Sequence, residues 1–595
     1  MGIFKAYDIR GVYPDELDEE IAEKIGAAAA HVIGGKTIVV GRDMRLSGQK
    51  LAEAVIRGLL SAGKDVVDIG EVTSPMVTFA VAKFGYDGGV MVTASHNPGR
   101  YNGAKLCAHD AEPISYGTGI DRIEQMIASG DIPKADTPGK VAQRDVLPDY
   151  LAHLWAHVGN VSDIKLVIDT GNGMAGKVLT PLLEKIDVEM VPLYFEIDGT
   201  FPNHEANPLK PENLVDLQKK VVEAGADFGA AFDGDGDRVM FVDEKGNAVS
   251  ADMVTALIGL DLLRDHPGST ILYDLRSSWA VREELETAGG KPLVTRVGHS
   301  FIKATMREKE AIFGGELSGH YYYRDNFYCD SGAFTLLKVL TLLCRKRTPL
   351  SQLIAPLARY AGSGEINSEV VDKEAKIEEL AAAYADGRQS RLDGLSVEFD
   401  DWWFNVRPSN TEPVLRLVVE ARSREHMALR RDTLVRQIRR GFAVRKVLFT
   451  TDFSPYAQQA LPFAMGIARD YGAALHVLHV VPTPELAMQF EPVAPVLDPG
   501  LFAGLEEAAR EHLEVVITRE MRKDVPIQLA VRRGAAFVEI VRYAKEEKID
   551  LIVLATHGRT GIPHALFGSV AEKVVRKAPC AVLSVRPAGH QFEMP

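Results

Sequence analysis

The stretch FGAAFDGDGDRVMFV, residues 228–242, joins two apolar runs through a loop in which Asp233, Asp235 and Asp237 alternate with glycine or end on Arg238. The runs are short and apolar and read as strands. The glycines let three carboxylates converge without side-chain crowding. A hard divalent cation is the natural resident of such a set. An EF-hand is the rival, because Glu244 falls at the twelfth loop position. It fails on two counts: the sixth position is Arg238 rather than glycine, and strands rather than helices flank the loop. Three carboxylates leave coordination positions open for phosphate or water, as Mg²⁺ prefers. The alternative is a solvated acidic turn.

The same strand-then-polar-loop arrangement recurs on either side. Strand-like runs at 37–40, 88–94, 164–169, 269–274 and 311–315 are spaced by helix-period stretches such as 50–62, with Leu51, Val55, Leu59 and Leu60 on one face. Strands separated by helices predict βαβ units and parallel sheets. Functional loops then leave the carboxyl ends of the strands. The loop TASHNPGRYNGAK (93–105) exposes Ser95 beside His96, with Lys105 and His96 as proton-transfer partners for a hydroxyl that is otherwise a poor nucleophile. A plain polar turn is the competing reading. In GGELSGH (314–320), Glu316, Ser318 and His320 alternate and suit sugar hydroxyls, although a structural turn fits as well. RPSNTEP (407–413) suits a phosphate clamp built from a guanidinium fork and loop N–H groups, or a bland turn. No GxxxxGK[ST] occurs, which leaves a Walker-type kinase unsupported. Together the loops supply a serine, a metal triad, a hydroxyl reader and a phosphate clamp, the parts of phosphoryl transfer on a phosphorylated sugar.

At 595 residues the chain is too long for one core and predicts about four domains. A composition of 46% hydrophobic and 25% charged residues excludes wholesale disorder. A net charge of −14 without a basic tail argues against nucleic acid as a partner. The four cysteines are far apart with no CxxC, which fits a reducing cytosol. There is no leader-like start and no run of 18 apolar residues, so the chain reads as soluble, cytoplasmic and free of the membrane. Near residue 365 the pattern shifts to a charged helix (372–385), a strand-rich stretch including 414–421, and an arginine-rich helix (424–440). At Arg445 it restarts as one complete doubly wound module of strands and helices, with a Pro-rich loop at 482–500. The junction at 441–445 lacks a flexible linker and predicts close coupling between the module and what precedes it.

Seven motifs in order, AYDIRG (6–11), GRDMRLSG (41–48), TASHNP (93–98), DTGNGMAG (169–176), DGDGDR, GELSGH and RPSNTEP, give residues 1–442 a resemblance to the α-D-phosphohexomutases. The resemblance implies three related α/β domains (1–145, 146–250, 251–362) and a smaller α+β fourth (363–442). It implies that Ser95 is a phosphoserine passing its phosphoryl group to a hexose phosphate through a hexose 1,6-bisphosphate. Asp233, Asp235 and Asp237, with a phosphoserine oxygen, would hold Mg²⁺. Lys105 matches the acid/base, with His96, Arg10 and Arg238 nearby. Glu316 and Ser318 match the sugar-hydroxyl readers, and Arg407, Ser409, Asn410 and Thr411 the grip on the non-reacting phosphate. Arg276 and His299 fall in stretches that line the cleft. GELSGH and RPSNTEP resemble the phosphomannomutase/phosphoglucomutase branch. Leu317 and Asn410 stand where phosphoglucosamine mutases usually show glutamine and glycine. An inactive scaffold would predict eroded loops, and these are intact.

Residues 443–595 resemble the universal stress proteins through VLFTTDFSPYA (447–457), Gly534, ATHGRTGIPHALFGS (555–569) and APCAVLSVRP. Gly558, Gly568 and Ser569 fit the phosphate loop of the nucleotide-binding members, with Ala555 in place of its first glycine, and Asp452 matches the nucleoside contact. The resemblance implies ATP or another adenine nucleotide as ligand, and a homodimer formed through the last strand, 581–585.

Overall fold

The computed structural model describes residues 2–370, 372–409, 414–439, 444–483, 499–556 and 569–586. The chain divides into two compact units, Met1–Arg439 and Arg440–Pro595.

Three sheets of the first unit share one plan. In the first, parallel strands Thr37–Arg42, Asp65–Glu71 and Gly88–Val92 are followed by a return strand, Tyr101–Ala108, antiparallel to Gly88–Val92. In the second, Ile164–Asp169, Val188–Leu193 and Phe228–Phe232 are parallel, and Val239–Asp243 returns antiparallel to Phe228–Phe232. In the third, Thr270–Asp274, Lys291–Thr295 and Phe313–Gly315 are parallel, and Tyr321–Tyr323 returns against Phe313–Gly315. The loops 93–100, 233–238 and 316–320 are therefore equivalent connections, each at the carboxyl end of a buried parallel strand. Such strands are covered on both faces and read as continuous apolar runs; Gly88–Val92 and Phe228–Phe232 are buried at every position.

One expectation changes here. The serine loop ends at residue 100, and Lys105 lies on the return strand, its Cα opposite Met91. The sequence YNGAKLCA hides this strand because small and polar residues blur its alternation.

One apolar cluster runs through all three sheets, from Val39 and Met91 through Leu166 and Phe228 to Phe334 and Leu357. The helix Gly332–Lys346, capped by the Ser331 hydroxyl accepting from Phe334 N–H, is buried around most of its surface within it. Truncating Phe334, which is fully buried, to Ala would cost about 3–5 kcal/mol. The fourth domain is different. Its sheet, Ala361–Gly362, Val414–Ala421, Trp402–Pro408, Leu395–Glu398 and Arg388–Ser390, with Ile366–Glu369 also paired to Val414–Ala421, is antiparallel throughout. Helices Lys373–Ala383 and Arg424–Arg439 accompany it, and its apolar core is separate.

The second unit is a five-stranded parallel sheet in the order Ile527–Arg533, Ala474–Val481, Lys446–Thr450, Leu551–Ala555, Ala581–Val585. Two apolar clusters lie against it. The strand order reverses beside Lys446–Thr450, so the crevice of this doubly wound sheet opens beyond Thr450 and Ala555. Among the described residues, no helix is long and apolar enough to cross a membrane.

Candidate active site

The loops of the first two sheets meet at Ser95. This serine is fully buried and has φ 51°, an unfavourable conformation for a residue with a Cβ. Its hydroxyl donates to Asp233 Oδ2 at 2.8 Å and lies 3.2 Å from His96 Nδ1. What holds it is a charged pair from GRDMRLSG to which the sequence assigned no role. Asp43 and Arg45 have no exposed side-chain surface and meet at 3.1 Å. Arg45 donates to the carbonyls of Ser95 (2.8 Å), Asn97 (2.6 Å), Pro98 (2.8 Å) and Tyr101 (2.9 Å). Asp43 accepts from the Thr93 hydroxyl at 2.6 Å, and Thr93 Oγ1 accepts from Ser95 N–H at 2.8 Å. Gly234 lets the metal loop close on this frame: a Cβ there would stand 2.6 Å from the Ser95 carbonyl oxygen.

Candidate ligand atoms of Asp233, Asp235 and Asp237 lie within 4.8 Å of one another, all buried. Lys105 Nζ sits 2.6 Å from Asp235 Oδ2 and 2.6 Å from Asp237 Oδ2, so an ammonium supplies the positive charge the triad requires. Asp235 Oδ1 and Asp237 Oδ1 are buried without a hydrogen-bond partner. Unsatisfied hard oxygen donors of this kind fit Mg²⁺. Burial and the two neighbouring aspartates push the Asp233 carboxyl well above its ordinary range. Burial also works against ionisation of Asp237, but Lys105, His320 and Arg238 outweigh it and hold that carboxyl well below the usual range. For Lys105, desolvation is overcome by the aspartates, which raise its ammonium. Burial, with Arg238, Arg10 and Lys105 nearby, lowers His96 and keeps its ring neutral.

The other candidates fall around this centre. Arg10 donates to Asn97 Oδ1 at 2.6 Å, pairs with Asp8, and keeps a buried Nε without a partner. Arg238 Nε is 3.6 Å from Asp233 Oδ2, and its backbone bridges to His320, which joins the second and third sheets. His320 faces Asp237 and Glu316, each at 3.4 Å. Burial and Arg238 push its ring down, yet these carboxylates carry it up to about 9. Glu316 is buried and accepts from Gly298 N–H (2.8 Å) and the Tyr322 hydroxyl (2.6 Å), while Ser318 Oγ lies 3.0 Å from His320 Nδ1. His299 lies 5.6 Å ring to ring from Tyr7 of AYDIRG, and burial with Lys303 nearby lowers it to about 4.

Arg276 is held by Asp274 (2.6 Å) and, with Arg407 and Arg416, faces Glu365. Ser409 ends the described part of the clamp loop. Asn410, Thr411, Gly558 and Gly568 lie outside the described residues, as does the side chain of Ser569. Asp452 sits at the mouth of the crevice in the second unit, where its Oδ1 accepts from Ser454 N–H at 3.0 Å. The sequence reading missed Asp43, Arg45, Glu365 and Arg416 as members of the site. The available signal was GRDMRLSG itself and, in LRLVVEA, a lone arginine in an apolar strand.

A buried serine against an acidic triad that could hold a metal ion, ringed by three equivalent loops and faced by an arginine-bearing fourth domain, has the parts of a phosphoryl-transfer mutase. Models of phosphoglucomutase/phosphomannomutase match in series: alpha/beta/alpha domain I over residues 1–133, domain II over 148–246, domain III over 250–360, and the C-terminal domain over 365–437. The universal stress protein family matches residues 443–586. A phosphomannomutase of Salmonella montevideo is 44% identical over 431 residues, covering 70% of this chain and 94% of its own. A phosphohexose mutase of Xanthomonas campestris pv. campestris is 41% identical over 424 residues, 70% of this chain and 95% of its own. The crystal structure of a phosphoglucomutase/phosphomannomutase family protein from Burkholderia thailandensis aligns with TM-score 0.69 at 36% identity, over 74% of this chain and 97% of its own. The chain belongs to the phosphoglucomutase/phosphomannomutase family and carries a universal stress protein domain after the mutase. It is an enzyme, a phosphohexomutase of the isomerase class.

Proposed function

We propose that the protein interconverts hexose 1-phosphates and hexose 6-phosphates, of mannose, glucose or both, through a phosphoserine at Ser95 and a bound 1,6-bisphosphate. The observation that carries this reading is the buried Ser95 hydroxyl, 2.8 Å from an aspartate of a cation-binding triad. Asp233, Asp235 and Asp237 would hold Mg²⁺ together with a phosphoserine oxygen. When bound, Mg²⁺ supplies charge neutralisation to the phosphoryl group in flight. Arg45 and Asp43 fix the serine loop, and Arg10 and Arg238 bring positive charge to its rim. We assign proton exchange with the sugar hydroxyl to Lys105, with His96 beside the serine. As the sugar oxygen bonds to phosphorus, the bond from phosphorus to Ser95 Oγ breaks. After the bisphosphate reorients, Ser95 Oγ takes its other phosphoryl group as that sugar–oxygen–phosphorus bond breaks, restoring the phosphoserine and leaving the isomeric monophosphate. Glu316, Ser318 and His320 orient the ring; Arg276, Arg407, Ser409, Asn410 and Thr411 hold the other phosphate. Positioning and electrostatics of this kind supply most of the catalysis in phosphoryl transfer.

The test is a coupled assay with Mg²⁺ and a trace of hexose 1,6-bisphosphate on mannose, glucose and glucosamine 1-phosphates, with Ser95→Ala as control. Turnover of mannose or glucose phosphate that vanishes in the variant is expected. Turnover confined to glucosamine phosphate would replace the sugar assignment, and none on any substrate would overturn the reading. We further propose that the second unit binds ATP or another adenine nucleotide near Asp452 and alters mutase turnover. A calorimetric titration paired with steady-state rates checks this; binding with a flat rate response would remove the coupling.

A further inference from the structure

Glu365 opens the fourth domain, between strands Ala361–Gly362 and Ile366–Glu369, and its carboxylate gathers guanidinium groups from two domains. Oε2 accepts from Arg407 Nη2 at 2.7 Å and lies 3.6 Å from Arg276 Nη1; Oε1 accepts from Arg416 Nη1 at 2.9 Å. The side chains of Arg276 and Arg407 are 9% and 4% exposed, and Arg407 Nε is buried without a partner. Three arginines converging on one carboxylate make an oxyanion fork, since carboxylate and phosphate present similar paired oxygens to guanidinium. Arg407 and Arg276 are the residues assigned above to the non-reacting phosphate, so the fork and the phosphate grip are the same groups.

A clamp of three bare guanidiniums has two defects. Empty, its members repel one another and scatter; filled, it holds phosphate too firmly for an intermediate that must let go and turn around. A carboxylate among them answers both. We propose that Glu365 is a positioning residue of the phosphate clamp, holding Arg276, Arg407 and Arg416 in a common fork and weakening their grip enough for the bisphosphate to release and reorient. The proposal rests on the clamp assignment made under the proposed function.

The charge and the shape of Glu365 are separable. Glu365→Gln keeps an acceptor oxygen at nearly the same place and removes the negative charge. A unit charge about 6 Å from a bound phosphate alters affinity at least about tenfold, even across an effective dielectric about twice the usual protein value of roughly 20. Calorimetry on the full chain in a Ser95→Ala background, with glucose 6-phosphate and inorganic phosphate as probes, reads the effect without turnover. Glu365→Gln is expected to bind both about tenfold more tightly, a gain that simple structural damage does not produce. In the chain with Ser95 intact, the same substitution lowers KM and kcat together. Glu365→Asp, which retains the charge, is expected to stay within about twofold of the parent for both probes. Unchanged or weaker binding by Glu365→Gln would overturn the proposal. Arg407→Gln separates the two failures. If it weakens binding while Glu365→Gln does nothing, the clamp assignment stands and the role of Glu365 falls. If Arg407→Gln also leaves binding untouched, the clamp assignment itself is wrong.

Discussion

Arg45→Met tests whether the serine loop is held from beneath by a buried ion pair. Methionine keeps much of the volume of arginine but none of its charge or donors. The change leaves Asp43, fully buried, without its counter-ion, and breaking such a pair costs about 3–5 kcal/mol. The Ser95 carbonyl is buried as well, and leaving it unsatisfied adds about 1–3 kcal/mol. The carbonyls of Asn97, Pro98 and Tyr101 belong to half-buried residues and find water more readily. A total near 5 kcal/mol corresponds to about three and a half orders of magnitude in loop opening. Hydrogen exchange over residues 93–103 in the full chain reads that opening directly, and the expected loss of protection is on the order of several thousandfold. Turnover is expected to fall at least about 100-fold while KM moves little, because the arginines of the clamp are elsewhere. The pH dependence has a defined sign. Burial already raises the Asp43 carboxyl, against the pull of Arg45, and removing Arg45 raises it further. A raised carboxyl penalises the folded state only where it is ionised, so the penalty is relieved as pH falls through the raised value. The gap between native and variant protein is therefore wider at pH 8 than at pH 5. Arg45→Lys does not restore the loop, since one ammonium cannot serve four carbonyls and a carboxylate in a planar fork. Retention of both protection and turnover within about threefold, or a gap independent of pH, would refute the reasoning.

Other expectations follow from the same geometry. Ser95→Ala removes the phosphoryl acceptor and should lower turnover on the order of 10⁴-fold or more, with intact-mass analysis showing no phosphoryl group on incubation with bisphosphate. Lys105→Met strips the triad of its ammonium, so the variant should melt well below the native protein in chelator. It should then recover steeply with Mg²⁺, by about 2.7 kcal/mol at a hundredfold excess over Kd, as read by thermal unfolding against metal concentration. His204 faces Asp169 at 3.0 Å, and although burial opposes it, this carboxylate raises the ring above its ordinary value. Its stabilisation is fully present below about pH 6.5 and is lost as pH rises through the raised value, so the urea midpoint should fall over that window and flatten in His204→Gln.

What the sequence disclosed depends on how each element is buried. The parallel strands Ile164–Asp169 and Phe228–Phe232 coincide with the runs IKLVID and FGAAF, because burial on both faces favours apolar or small residues at most positions. Val414–Ala421 and Ala581–Val585 are legible for the related reason that apolar residues dominate them. The return strand of the first sheet is not, although that of the second, Val239–Asp243, is. Tyr101–Ala108 carries Asn, Gly and Lys because one end of it lines the site, and Lys105 was read as loop for that reason. The loops with glycine between polar residues announced themselves by composition. The residues that organise them did not, because Asp43, Arg45 and Glu365 are charges, and a charge in isolation reads as surface. Their burial makes sense only with partners some 40 to 90 positions away, a relation no local pattern encodes.

The contrast in how the domains are joined bears on how a bisphosphate could turn within the site. The first three domains share one apolar cluster, and parting them would expose core. The fourth keeps its own core, and polar contacts tie it to the third. Glu420 accepts from Trp279 N–H at 2.9 Å; Arg282 pairs with Glu398 at 2.9 Å; Glu365 reaches Arg276. Such contacts exchange for water at a net cost of about 0.5–1.5 kcal/mol each, a smaller barrier to separation than a shared apolar core. The serine end of the site, with Arg10, Lys105, Arg238 and the triad, belongs to the rigid part. The proposed phosphate end, with Arg407 and Arg416, belongs to the domain with the separate core. On the proposed mechanism the ring must leave the second end while the first stays intact. A reversible polar seam beside a neutralised arginine clamp meets that requirement, whereas an apolar seam with unopposed arginines would hold the intermediate in place.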